Sequence, residues 1–288
     1  MRREDFSFSS SDELEIAYYR WRAPGRATGI VQIAHGMGEH ALRYAHVAEF
    51  LNQAGFHVYA NDHRGHGRSV KGPELLGDFG ASGWNGLVAD VLMLTRLACT
   101  REGGLPLILL GHSMGSFAAQ QYVLDNSALI AGLVLSGSAS ADRLAIDRSR
   151  QADLTAFNHA FEPARTPYDW LSRDPAAVDA YVADPLCGFG INKRAMETMA
   201  ASASRLVDPA ELSRIRKNLP IYIFAGDKDP INHDLERLKP LAEGYRAAGI
   251  ADVSEKYYPQ GRHEMLNETN RAEVLRDLVS WLQRSLVP

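Results

Sequence analysis

Between residues 6 and 21 the chain alternates, with Leu14, Ile16 and Tyr18 on one side and Glu15, Ala17 and Tyr19 on the other. A period of two is the signature of a strand. The polar break Ser9-Ser10-Ser11-Asp12 splits the run into an antiparallel hairpin that ends at Pro24-Gly25. Beyond it the pattern changes. Short apolar runs at 30–34, 56–60, 105–110, 129–136, 219–224 and 253–258 predict six more strands. Helical spacing fills the gaps between them: Val47, Phe50, Leu51 and Ala54, closed by Gly55; Leu87, Val88, Val91, Leu92 and Thr95; residues 116–124; and residues 234–248 despite Pro240. At the end, Asn270 with Glu273 three positions on predicts an N-cap ahead of the stripe Val274, Leu275, Leu278, Trp281 and Leu282. Near-continuous apolar strands separated by helices imply an α/β fold. Its sheet has eight strands, is mostly parallel and is covered on both faces, with ligands expected beyond the carboxyl ends of the strands.

One region breaks the rhythm. Residues 140–215 show no strand pattern but carry prolines at 163, 167, 175 and 185, and the aromatics Phe157, Phe161, Tyr168, Trp170, Tyr181 and Phe189. They read as a helical lid inserted into a core formed by 1–139 and 216–288.

Composition narrows the class. With 288 residues, 45% hydrophobic and 23% charged, the chain is long enough for a sizeable core. A net charge of −4 gives no reason to expect nucleic-acid binding. The first residues lack the apolar stretch of a signal peptide, and the longest apolar run, 105–111, is far too short to span a bilayer. Two cysteines, Cys99 and Cys187, make no disulfide framework, so a cytoplasmic location is the expectation.

The chemistry concentrates at Gly111-His112-Ser113-Met114-Gly115, where a strand pattern runs directly into a helix pattern. G-x-S-x-G in that context is a sharp turn that exposes Ser113 at a helix N-terminus. A serine hydroxyl needs a base, and the base needs an orienting acid. His263, in the loop after the last strand, is the candidate base; Asp227 and Asp229, after the strand before it, are candidate acids. The oxyanion donors should be the backbone N–H groups of Met114 and of Met37, the latter in the loop after the 30–34 strand. That loop, His35-Gly-Met-Gly-Glu39-His40, resembles an inverted zinc-peptidase signature with one residue too many. Its glycines and its place after a strand make it a loop where the signature needs a helix. No metal and no cofactor are expected; His35 reads as structural and His40 is left without a role. Residues 61–69, NDHRGHGRS, read as a hydrogen-bonded structural loop beneath the site.

Taken in order, HGMGEHALRY, NDHRGHGRS, GHSMGS, AGDKDP and GRHEMLNE, together with ADPLCG in the insertion, resemble the monoacylglycerol lipase / lysophospholipase branch of the α/β-hydrolase superfamily over essentially the whole chain. The resemblance implies a serine carboxylic-ester hydrolase acting through an acyl-enzyme on single-chain acyl esters. It makes Ser113 the nucleophile and His263 the base, and selects Asp229 over Asp227. It matches Met37 and Met114 to the oxyanion donors and gives Glu39 and Arg43 a part in holding the glycerol end. Phe157, Phe161 and Trp170 are candidates for the acyl pocket. Two departures stand out. The animal enzyme has a further glycerol-binding histidine three residues after the catalytic one, where this chain has Leu266. Its lid is apolar and docks on membranes, whereas residues 140–215 here carry 9 Lys/Arg and 11 Asp/Glu, which limits the lid to transient contact with a membrane surface. A small-ester esterase, a thioesterase, a proline iminopeptidase-like enzyme and a non-catalytic binding protein are the competing readings.

Overall fold

The computed structural model describes residues 2–144 and 151–286. Eight strands form one sheet: β1 (Arg2–Ser9), β2 (Glu15–Arg22), β3 (Gly29–Ala34), β4 (Phe56–Asn61), β5 (Leu107–His112), β6 (Gly132–Ser136), β7 (Ile221–Gly226) and β8 (Val253–Tyr258). Their spatial order is β1-β2-β4-β3-β5-β6-β7-β8. β1, β2 and β4 pair antiparallel; every pairing from β4 to β8 is parallel. Every residue of β3 to β7 is buried, which is why these strands read as unbroken apolar runs rather than as alternation.

Helices cover both faces. α1 (Ala45–Gln53) and α8 (Arg271–Ser285) pack Val47, Leu51, Leu278 and Trp281 against Ile108, Leu110 and Val134. On the other face α2 (Gly83–Arg101), α3 (Met114–Asn126) and, later in the chain, α7 (Lys239–Ala247) pack Leu87, Val91, Tyr122 and Tyr245 against Leu107, Leu109 and Leu133. Neighbouring residues of β5 and β6 thus feed opposite cores, as the pleat requires. Strand order reverses at β3, which lies between β4 and β5. The loops after β3 and β5 therefore meet at the topological switch point, where open α/β sheets bind ligands.

Among the described residues, the chain between β6 and β7 has no strand. It carries α4 (Pro175–Ala183), α5 (Lys193–Ser202), α6 (Pro209–Ser213) and short 3-10 turns. Asp-Pro-Ala occurs at 174–176 and at 208–210, and both times the aspartate caps the helix by accepting the N–H two residues on, at 3.0 and 2.8 Å. Proline at the first helical position loses no hydrogen bond, so both repeats start helices. Residues 145–150 of the expected lid lie outside the described residues. Among the described residues, no helix is long and apolar enough to cross a membrane.

Two expectations need correction. The helix expected from 234 begins only at Lys239, because His233, Asp234 and Leu235 adopt positive φ in a turn, and Pro240 sits in the first helical turn, where proline is tolerated. Asn270 does precede α8, but its side chain does not cap it. Its Oδ1 accepts from Arg173 at 3.2 Å and its Nδ2 donates to Glu273 at 3.1 Å.

Candidate active site

Ser113 sits between β5 and α3 with φ 52° and ψ −122°, a strained conformation for a residue with a side chain. The turn is held by the Ser113 N–H donating to Ser136 O at 2.9 Å and by Ser116 Oγ donating to Ser113 O at 2.6 Å. Gly115 is required by packing, since a Cβ there would overlap the backbone of Ala34 and His35. The strain points the seryl oxygen away from the sheet, at the positive end of α3.

His263 follows β8 and is 2% exposed. Its Nδ1 lies 2.9 Å from Asp229 Oδ2. Asp229 is also buried, and its Oδ1 accepts the Ile231 N–H at 2.9 Å. Asp227, the other candidate, points elsewhere: it accepts the Gln260 N–H at 2.7 Å and holds the turn before His263. Burial opposes charge on His263, but the Asp229 carboxylate and its hydrogen bond outweigh burial and raise its pKa above 6.5. The imidazole lies between the rings of His112 and Trp170, both 4.8 Å away. Burial, then repulsion from His263, brings His112 down to about 4, so it stays neutral beside its neighbour. His263 Nε2 is buried and has no hydrogen-bond partner among the described residues.

That nitrogen belongs to a residue lining a cavity of about 300 Å³ shared with Ser113. Met37 and Met114, the two expected oxyanion donors, line it too. The Met37 loop is pinned from several sides. Gly36 N–H donates to Glu39 Oε1 at 2.6 Å, Gly38 N–H to His66 Nε2 at 3.2 Å, and Gly188 N–H from the insertion to Gly38 O at 3.0 Å. Below it lie the buried rings of His35, His63 and His66, all kept neutral chiefly by burial. His35 Nδ1 is 2.8 Å from Gly36 O, and its Nε2 accepts the His63 N–H at 2.9 Å. Both nitrogens are occupied, so the zinc-like spacing has no first ligand. Asp62 completes the support, accepting from Ala41 N–H, Arg68 N–H and Tyr19 OH at 2.8–2.9 Å.

The substrate-binding candidates separate. Phe157 and Trp170 line the cavity; Phe161 does not, and instead lies under the Arg262 guanidinium, 4.3 Å from its ring centre. Glu39 lines the cavity, but its oxygens are engaged by Gly36, Tyr44 and Arg43. Burial opposes its charge; Arg43 and then His112 outweigh it, and its pKa is lowered. Arg43 is not a lining residue. It bridges Glu39 at 2.5 Å and Glu264 at 2.6 and 2.8 Å, with its guanidinium 4.7 Å from the centre of the Tyr181 ring. Leu266 is buried in the core. Several lining residues escaped the sequence reading: Met196 and Met199 of α5, Ile231, and Glu264. The helical spacing of the methionines was the available signal for the first two, and adjacency to His263 for Glu264.

A family model described as "Serine aminopeptidase, S33" matches residues 25–270. The monoacylglycerol lipase of Mycolicibacterium smegmatis is 33% identical, covering 97% of each chain. The monoglyceride lipase of Mus musculus is 27% identical over 92% of this chain and 86% of its own. Among solved structures, a highly thermostable carboxyl esterase from Bacillus coagulans, in complex with glycerol, matches all of both chains with a TM-score of 0.88 and 29% identity. The chain belongs to the serine aminopeptidase S33 family, in its monoacylglycerol lipase-like α/β-hydrolase branch, and is a serine hydrolase of ester type.

Proposed function

We propose that Ser113, His263 and Asp229 act as a catalytic triad on monoacylglycerols and similar single-chain acyl esters. The observation that carries the reading is the buried, unpartnered Nε2 of His263, on a ring oriented by Asp229, beside the cavity that Ser113 also lines. A buried nitrogen without a partner is costly unless the site uses it. Here it would take the Ser113 proton as the oxygen attacks the ester carbonyl. The Met37 and Met114 N–H groups would hold the tetrahedral oxyanion, and His263 would return the proton to the departing alcohol. Water, deprotonated by the same imidazole, would then release the fatty acid and restore Ser113. Asp229 would hold the imidazole tautomer and stabilise its charged form throughout. The sequence of steps uses no cofactor.

The acyl chain fits the apolar part of the cavity, lined by Phe117, Leu154, Phe157, Met196, Met199 and Ile231. Four of these, Leu154, Phe157, Met196 and Met199, come from the segment 140–215, which we take to act as a lid. The density of charge along that segment suits transient contact with a lipid surface rather than insertion. An aminopeptidase would need a carboxylate free to meet a substrate ammonium; Glu39 and Glu264 are both already paired with Arg43.

Two measurements test the proposal. A fluorophosphonate probe should label Ser113, and absence of labelling would refute the serine mechanism. A chain-length series of p-nitrophenyl esters, run beside monoacylglycerols and lysophospholipids, should favour long acyl chains; an optimum at acetyl or butyryl would overturn the lipid assignment.

A further inference from the structure

His40 has no part in the proposed mechanism, yet it is 7% exposed and precisely placed chemistry surrounds it. Its Nε2 lies 2.9 Å from Asp184 Oδ2. Asp184 follows α4 in the insertion. Its Oδ1 accepts the Leu186 N–H at 2.9 Å, while the Cys187 N–H donates to its backbone carbonyl at 3.0 Å. This turn folds the carboxylate and the Cys187 thiol toward the same side. One ligand atom from each of His40, Asp184 and Cys187 lies within 4.8 Å of the others, the one convergence of three such donors among the described residues.

We propose that His40, Asp184 and Cys187 form a three-ligand site for a divalent cation of the zinc class, with water in the fourth position. A nitrogen, an oxygen and a sulfur donor together suit this ion better than magnesium or calcium, which take oxygen. Tetrahedral coordination at the usual bond lengths spaces donors roughly 3.3–3.6 Å apart. The His40–Asp184 pair, 2.9 Å apart, must open slightly to reach that spacing. Binding exchanges the cation for one proton, which leaves the Cys187 thiol; the hydrogen that His40 Nε2 shares with Asp184 moves to Nδ1 of the same ring, which frees Nε2 and the carboxylate to contribute lone pairs. The nearby Arg43 cation does not make the surroundings positive, because Glu39 and Glu264 both pair with it.

The site joins two parts of the chain that are otherwise distant in sequence. His40 belongs to the loop after β3; Asp184 and Cys187 belong to the insertion. Beside them Gly188 N–H already donates to Gly38 O. A bound cation would fasten the insertion to the Met37 loop and slow ester turnover, a consequence that rests on the proposed function; the binding itself does not.

The test is a titration of the full chain, first stripped with chelator, with Co²⁺ and then with Zn²⁺ in competition. One equivalent of Co²⁺ should bind with a thiolate-to-cobalt charge-transfer band, displaced by Zn²⁺. The band should vanish in Cys187→Ser, persist in Cys99→Ser, and weaken in Asp184→Asn, which can still hydrogen-bond His40. No band in the parent protein, or a band that survives Cys187→Ser, overturns the site. Zn²⁺ should slow p-nitrophenyl ester hydrolysis by the parent and by Cys99→Ser but not by Cys187→Ser; inhibition that persists in Cys187→Ser overturns the effect on turnover while the cobalt titration still decides the site.

Discussion

Arg43 and Glu264 are 221 positions apart in the chain and meet through two hydrogen bonds, 2.6 and 2.8 Å long. Glu264 follows His263, and Arg43 also holds Glu39, whose Oε1 accepts the Gly36 N–H. One guanidinium therefore ties the loop that carries Met37 to the loop that carries His263. Removing it as Arg43→Met would leave two buried carboxylates without a counter-charge. Breaking a buried pair in this way costs about 3–5 kcal/mol. The expected outcome is a lower urea midpoint with an unchanged m-value; a midpoint equal to the parent's would show that the bridge is dispensable.

Asp229 and Asp227 differ in what they touch. Asp229 meets His263; Asp227 meets a backbone N–H of the turn. Asp229→Asn should lower kcat by about 10⁴-fold, the effect of placing the wrong tautomer on the base. Asp227→Asn should lose no more than the cost of a weakened turn hydrogen bond, about 1 kcal/mol of stability. Equal losses in kcat would overturn the choice of acid.

The pH profile follows from His263. The base must be neutral to accept the Ser113 proton, and its pKa in the fold is raised above 6.5 against the opposing effect of burial, mainly by Asp229. The acid limb of kcat/KM should therefore have its midpoint above 6.5, and Asp229→Asn should move the residual activity's limb to lower pH. Stability carries the same sign. A group whose pKa is raised on folding adds stability that is fully present below its unfolded value and is lost as pH rises through the folded value. The His263–Asp229 pair should thus contribute most on the acid side of 6.5 and fade above the folded midpoint. An acid limb below 6.5 in the parent would contradict the electrostatics of the pair.

The cavity separates three aromatics that the sequence presents alike. Phe157 and Trp170 line it; Phe161 lies on Arg262. Phe157→Ala should raise KM for long-chain esters more than for acetyl esters, whereas Phe161→Ala should leave that ratio unchanged. Trp170→Ala should lower kcat for every ester, because it removes the ring packed against His263. A chain-length effect from Phe161→Ala equal to that of Phe157→Ala would refute the cavity assignment.

The same contrast explains what was legible in the sequence. Buried parallel strands must be apolar throughout, so β3, β5, β6 and β7 could be read directly, and the loops at their ends followed. The strand-to-helix junction at Ser113 was equally plain, because its glycines answer a local steric demand. Asp229 could not be told from Asp227 by spacing alone; the choice came from resemblance, and the structure brings Asp229 to His263. Arg43 needed Glu264 and Tyr181 from distant segments before its surroundings were defined. The helix expected from 234 failed for a local reason: apolar spacing was right for part of it, but three consecutive positive-φ residues lie where its first turn should be.

Gly38 provides a test of the oxyanion loop. It has φ +64°, where a side chain is disfavoured, and a Cβ there would stand inside the contact distance of the Phe189 backbone oxygen and 2.8 Å from a Leu154 methyl. Both neighbours belong to the insertion, so Gly38→Ala must push the insertion away or shift the loop that carries Met37. The Gly188–Gly38 hydrogen bond would weaken in either case. Misplacing one oxyanion donor costs about 10²–10³ in kcat, so the variant should lose activity on that scale while Ser113 still accepts a fluorophosphonate. Retention of full kcat would show that Met37 does not hold the oxyanion, and the second donor would have to be sought elsewhere on the cavity wall.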